Sequence, residues 1–134
     1  LFPPVLQQHP AAEPDSGELM AQVYQFWAAP SHDPATPPPH STGAAIDITL
    51  VNDQQQVVDM GSAIDEISER SYPNYFADKS GGEGFHRDRT ILATAMKSVG
   101  FQQHPNEWWH FSLGDQLWAW LESSSEPARY GRAK

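Results

Sequence analysis

Apolar residues return at helical spacing in two places along the chain. Leu19, Met20, Val23, Phe26 and Trp27 predict an amphipathic helix over about 16–29, with Asp15 as N-cap, Glu18 three residues on and Pro30 as its stop. Ile91, Leu92, Ala95, Met96 and Val99 predict a second helix over about 85–99, with Gly100 placed to end it. Between them the period changes to two. Ile46, Ile48 and Leu50 form one face of a strand over 44–51, and Ala45, Asp47, Thr49 and Val51 form the other. An Asn52-Asp53 turn leads to a second short strand over about 55–59. Residues 101–103 and 107–113 read as two antiparallel strands joined around His104-Pro105-Asn106, and 71–84 as a long surface loop. Leu117, Trp118, Trp120 and Leu121 fit a short helix as well as a strand, and 123–134 reads as frayed. Helices segregated from short strands give an α+β expectation: a small antiparallel sheet with helices packed against it.

Composition bounds what such a fold can do. The 134 residues suit a single domain, and 39% hydrophobic with 11% aromatic content suffices for a core. Eight basic against 17 acidic side chains leave a net charge of −9, which argues against a nucleic-acid partner, since phosphate backbones demand clustered Lys and Arg. No apolar run approaches the ~18–20 residues of a membrane span, so no membrane partner is expected. Cysteine is absent, so any metal must be held by His, Asp and Glu.

The six histidines sort by context. His9 and His32 sit in proline-rich loops, His86 opens a helix beside Arg87, Asp88 and Arg89, and His104 precedes a proline in a turn. Solvated surface or turn chemistry accounts for each of these four. His40 is different, because Ser41-Thr42-Gly43 follows it and feeds the strand carrying Asp47, and a glycine lets the backbone bend both into one cleft. A carboxylate inside an apolar strand must be paired, hydrogen-bonded, metal-bound or solvent-facing. Glu107-Trp108-Trp109-His110 offers a second imidazole and a free carboxylate able to polarise a water. Residues three apart on a regular strand face opposite sides, so Glu107 and His110 converge only if the strand opens on a bend, for which Pro105-Asn106 is suited. The tryptophans read as core or pocket wall.

Pro-Pro-His40-Ser-Thr-Gly43-Ala-Ala-Ile-Asp47-Ile-Thr-Leu together with Glu107-Trp-Trp-His110 resembles the VanX-type D-alanyl-D-alanine dipeptidases, zinc D,D-peptidases that share a fold with the hedgehog signalling domain. The resemblance runs from about Trp27 to Leu113 and includes Met60-Gly-Ser-Ala-Ile-Asp65. It implies one Zn²⁺ per chain held by His40, Asp47 and His110, with Glu107 as general base and Asp65 receiving the ammonium of a small D,D-dipeptide. Two departures are visible. Pro38 stands where the family pattern has Ser, and the family's upstream oxyanion arginine, in an Asp-x-Tyr-Arg-Pro-like segment, has no counterpart in these 134 residues. Arg70, Arg87 and Arg89 are not expected to replace it, and losing such a donor costs about 10²–10³ in rate. The domain is accordingly expected to lack its N-terminal segment.

The expected function is zinc-dependent hydrolysis of D-alanyl-D-alanine. The alternatives are a D,D-carboxypeptidase acting on peptidoglycan stem peptides and a non-catalytic, hedgehog-like zinc-binding module. Glu107 favours an enzyme, because a structural zinc site has no use for a free base. Asp65 favours the dipeptidase, because a stem peptide offers no ammonium there, and 71–84 is the natural lid of a cramped pocket. A cytoplasmic location is expected, with the periplasm and homo-oligomerisation left open.

Overall fold

The computed structural model describes residues 31–123 and 127–134, with Gly17, Glu18 and Ala21 before them. Those three are helical; the rest of the helix expected over 16–29, like the irregular stretch expected over 1–14 and His9, lies outside the described residues.

Three short strands carry the site. β1 (Ala45–Asp47), β2 (Gln102–Gln103) and β3 (His110–Ser112) form an antiparallel sheet in the order β1-β3-β2. Ala45 pairs with Ser112, Ile46 with Phe111 and Asp47 with His110, while Gln102 and Gln103 pair with Ser112 and Phe111. Phe111, wholly buried, joins Met60, Leu92, Trp108 and Trp109 in the core, and Ile48, Leu50, Val58, Met96 and Phe101 pack around them. The α+β expectation holds.

Several elements are shorter than the pattern suggested. The ladder of the first strand stops at Asp47, although Ile48 N–H still donates to the Trp109 carbonyl at 3.0 Å. The strand expected over 55–59 reduces to one bridge, Val51 to Val57. Its residues form a turn instead: the Asn52 carboxamide accepts from the N–H groups of Gln54 and Gln56 at 3.0 and 2.8 Å, and Gln55 takes φ +61°. Val51 and Val57 are 59% and 72% exposed, so no apolar gain rewards longer pairing.

The helix α1 (Glu83–Ser98) is present, but its buried face is not the one expected. Leu92 and Arg89 are buried and Met96 and Ala93 partly so, whereas Ile91, Ala95 and Val99 face outward. Arg89 explains the rotation. Its guanidinium donates to the carbonyls of Met60 (2.7 Å), Tyr72 (2.9 Å) and Arg70 (2.8 Å) and to Ser62 Oγ (3.2 Å), and it stacks over the rings of Phe76 and Trp108. Four of its five donors thus find acceptors in three carbonyls and a hydroxyl, which lets a cation lie in the interior. Burial still pulls its pKa down to about 10.

The 71–84 segment is anchored rather than superficial. Ser71 is wholly buried, its carbonyl accepts Trp108 N–H at 2.9 Å, and Phe76 lies against Phe85 and over Gly61. The ambiguous tail resolves as a helix, α2 (Gln116–Leu121), because Asp115 Oδ1 caps Trp118 N–H at 2.8 Å and Trp118 Nε1 donates to the Gly100 carbonyl at 2.9 Å. Residues 127–134, expected to be frayed, fold back: Arg129 and Tyr130 N–H donate to the Gly114 carbonyl, and Ala133 N–H to that of Ser41.

Candidate metal centre

His40 is delivered by a 3₁₀ turn, Pro39–Thr42. Two prolines pre-set the entry, Ser41 Oγ and Thr42 Oγ1 donate back to the carbonyls of Pro38 and Pro39 at 2.7 and 2.6 Å, and Gly43 closes the turn at φ +71°. That left-handed exit is what glycine permits, and it turns the chain directly into β1.

On the sheet, directly opposed residues share a face. Asp47 of β1 and His110 of β3 therefore project together, and the turn brings His40 over them. Asp47 Oδ1 lies 3.4 Å from His40 Nε2 and 3.3 Å from His110 Nδ1, and ligand atoms of all three residues lie within 4.8 Å of one another. Around an ion with bonds of about 2.0–2.1 Å, tetrahedral ligand atoms are spaced by about 3.3 Å. Both Asp47 separations fit that spacing. The remaining ring nitrogens are committed elsewhere, as metal-binding imidazoles require: His40 Nδ1 donates to the Ala45 carbonyl at 3.2 Å, and His110 Nε2 meets Ser112 Oγ at 3.3 Å. Burial works to raise the Asp47 pKa, yet the His110 hydrogen bond and the charges of His40, His110 and His104 outweigh it and hold the carboxyl below its ordinary value. Two imidazoles and an ionised carboxylate are a donor set that accepts a divalent cation.

Glu107 lies beside this cluster, with Oε2 3.5 Å from His110 Nδ1. The facing problem posed by their spacing disappears because β3 begins at His110, not at 107. Residues 104–107 form a tight turn closed by Glu107 N–H to the His104 carbonyl, and Trp108 N–H is diverted to the Ser71 carbonyl. Glu107 is 5% exposed, and burial, with the charges of Asp47 and Asp65 reinforcing it against that of His110, pushes its carboxyl up to about 7. A carboxyl near 7 is matched to accepting and returning a proton.

The other expected residues fall as follows. Asp65 is exposed and sits at φ +64°, where it begins no helix; the next helical turn, Glu69–Ser71, is capped by Ser68. Its charge nonetheless reaches Glu107. A cleft of about 650 Å³ runs past the Met60–Ile64 stretch, lined by Thr49, Ser62, Phe76, Phe85 and Trp108 among others. Trp108 is both core and wall, its Nε1 donating to Ser62 Oγ at 2.9 Å. Arg70 is held by Glu66 through two hydrogen bonds of 2.8 and 2.9 Å, Arg87 pairs with Asp88, and Arg89 is the buried clamp described above. None of the three is presented to the cluster as a free cation. His86 is half-buried rather than superficial, with Nδ1 sealed from solvent and unpartnered.

Comparison with known proteins bears on this geometry directly. The D-ala-D-ala dipeptidase family matches residues 5–126. The chain belongs to that family. It is a metallopeptidase family, in keeping with a His-Asp-His cluster able to hold a metal ion. Among curated relatives, the chain is 52% identical over 126 aligned residues to the D-alanyl-D-alanine dipeptidase of Synechocystis sp., covering 84% of this chain and 51% of that protein. It is 39% identical over 74 residues to the D-alanyl-D-alanine dipeptidase of Escherichia coli, covering 55% of this chain. It is 40% identical over 78 residues to that of Enterococcus faecalis, covering 58% of this chain. The chain spans about half the length of the first relative and 37% of each of the other two. No helix among the described residues is long and apolar enough to cross a membrane.

Two residues escaped the sequence reading. Arg89 enters the sequence reading only as a helix arginine not expected to supply the oxyanion donor, and no local pattern marks it as buried. His104 was assigned to turn chemistry, which it does perform, its Nδ1 accepting Asn106 N–H at 3.1 Å. That its ring also stands 5.4 Å from that of His110 required the strand register.

Proposed function

We propose that this chain forms the zinc centre of a D,D-dipeptidase that hydrolyses D-alanyl-D-alanine. The observation that carries the reading is a buried Glu107 carboxyl 3.5 Å from His110, next to a His-Asp-His cluster whose ligand atoms lie within 4.8 Å of one another. His40 Nε2, Asp47 Oδ1 and His110 Nδ1 are the ligand atoms. These three residues would hold the zinc, which would supply Lewis acidity to polarise the scissile carbonyl and acidify water. Glu107 Oε2 accepts the proton of the attacking water and returns it to the leaving amine, so that the one carboxyl serves as base and then as acid. Asp65, whose charge reaches Glu107, receives the substrate's ammonium and fixes which peptide bond lies beside the base. The names of the three relatives support the dipeptidase over the carboxypeptidase and over the non-catalytic module.

The decisive assay follows free D-alanine release by the zinc-loaded, full natural chain from D-Ala-D-Ala, from its N-acetylated form and from a longer peptide ending in D-Ala-D-Ala. The free dipeptide should be cleaved fastest, and Asp65→Asn should lose about 10- to 150-fold in kcat/KM on it, the worth of a charge-assisted hydrogen bond, while losing little on the acetylated form. Equal cleavage of free and acetylated dipeptide promotes the carboxypeptidase reading. Zinc binding without cleavage of any of the three leaves the structural module.

A further inference from the structure

The sheet places a third side chain in line with the metal cluster. β2 pairs Gln103 with Phe111, and the next step of that register sets His104 opposite His110, with His104 N–H donating to the His110 carbonyl at 2.9 Å. Asp47, His110 and His104 are therefore cross-strand neighbours in one row on one face. The His110 ring is flanked edge-on by His40 at 4.7 Å and by His104 at 5.4 Å. His104 is not one of the three residues whose ligand atoms converge. Its tautomer is set by the turn it closes. Nδ1 accepts the Asn106 N–H at 3.1 Å, so the proton of the neutral ring resides on Nε2. His104 is half-buried, and its Nε2 has no hydrogen-bond partner among the described residues and is not one of the sealed polar atoms, so its N–H remains available as a donor.

A zwitterionic dipeptide presents an anion as well as an ammonium. Arg70, Arg87 and Arg89 are committed to Glu66, Asp88 and backbone carbonyls respectively, so none of them is free to meet it. The geometry points to His104, in the cross-strand row of Asp47 and His110, as a specificity-determining residue whose Nε2–H binds the C-terminal carboxylate of the dipeptide. This inference rests on the dipeptidase reading above and extends it to the other end of the same substrate.

Binding separates the two. Zinc-loaded full-length protein carrying Glu107→Gln, which holds substrate without consuming it, is titrated calorimetrically with D-Ala-D-Ala and with D-alanyl-D-alaninamide, in which the carboxylate is replaced by a neutral amide. His104→Phe in that background keeps a ring but removes the donor. His104→Asn keeps an acceptor for Asn106 N–H and removes the reach of Nε2. Both variants should bind the dipeptide about 10- to 100-fold more weakly with unchanged zinc content, and neither should distinguish acid from amide, as the parent does. Nitrogen-15 spectra of the parent should show the Nε2–H tautomer at His104, shifted on adding dipeptide. Affinity equal to the parent in either variant overturns the inference, and restoration by Asn alone assigns His104 to the turn. A parent that binds dipeptide with this dependence, while the unsubstituted enzyme releases no D-alanine, sinks the hydrolase reading and leaves the His104 contact standing.

Discussion

Glu107 shows how much of this site depends on one side chain's surroundings. Its carboxyl ionises near 7 in the folded chain against an ordinary 4.5. Below pH 4.5 both folded and unfolded chains hold the proton and the group is silent. As pH rises toward 7 only the unfolded chain ionises, so the metal-free protein loses about 3 kcal/mol over that window. Glutamine has no proton to lose. Urea midpoints of the metal-free Glu107→Gln variant and its parent should therefore converge near pH 4 and separate in the variant's favour by pH 8. A difference that does not change with pH would mean that burial does not hold the carboxyl protonated. With zinc loaded, the same variant should retain its metal while losing most turnover, because the amide cannot accept a proton; metal lost in parallel with activity would make Glu107 a ligand.

Elements as short as two and three residues do not stabilise themselves; they are held by what crosses them. The Met60–Ser62 stretch is fixed by Arg89 from one side and by the rings of Phe76 and Phe85 from the other. Gly61 sits there at φ +87°, and a Cβ added to it would lie 2.4 and 2.8 Å from atoms of Phe76 and 2.9 Å from Phe85. Gly61→Ala should cost roughly 2–4 kcal/mol, the sum of a left-handed backbone and an overpacked contact. Gly84, inside α1 with open space around it, provides the contrast: Gly84→Ala should raise the melting temperature slightly by stiffening a helical position. Thermal melts of both variants check the pair, and a Gly61→Ala protein as stable as its parent would mean that Phe76 can move aside freely.

At the scale of the whole molecule, the metal should act as a staple. The proposed ligands come from a 3₁₀ turn and two strands, so binding would favour the folded chain alone, and zinc at about a thousand times its Kd would add about 4 kcal/mol. Chelation should therefore lower the melting temperature by roughly 10 °C or more, and His110→Ala should remove both tight zinc binding and that difference. A His110→Ala protein that still melts higher with zinc would place the metal elsewhere. The residues that converge here stand out in the sequence because each carries a local cue. Gly43 after His40 announces the turn, Asp47 is out of place in an apolar strand, and Glu107 and His110 share one short motif with the bend that unites them. The α+β class was legible too, from periods of 3.6 and 2 in separate stretches. What depended on partners distant in sequence was not. Arg89 carries no local mark of burial until carbonyls from residues 60, 70 and 72 are folded around it, and its burial turns the helix face away from Ile91 and Val99. His104 reads as a turn residue until the β2–β3 register sets it beside His110. Local pattern reports the chain's own backbone preferences and the polarity of its faces, while burial of a charge or alignment across strands is a property of two or more segments at once, decided only when they meet.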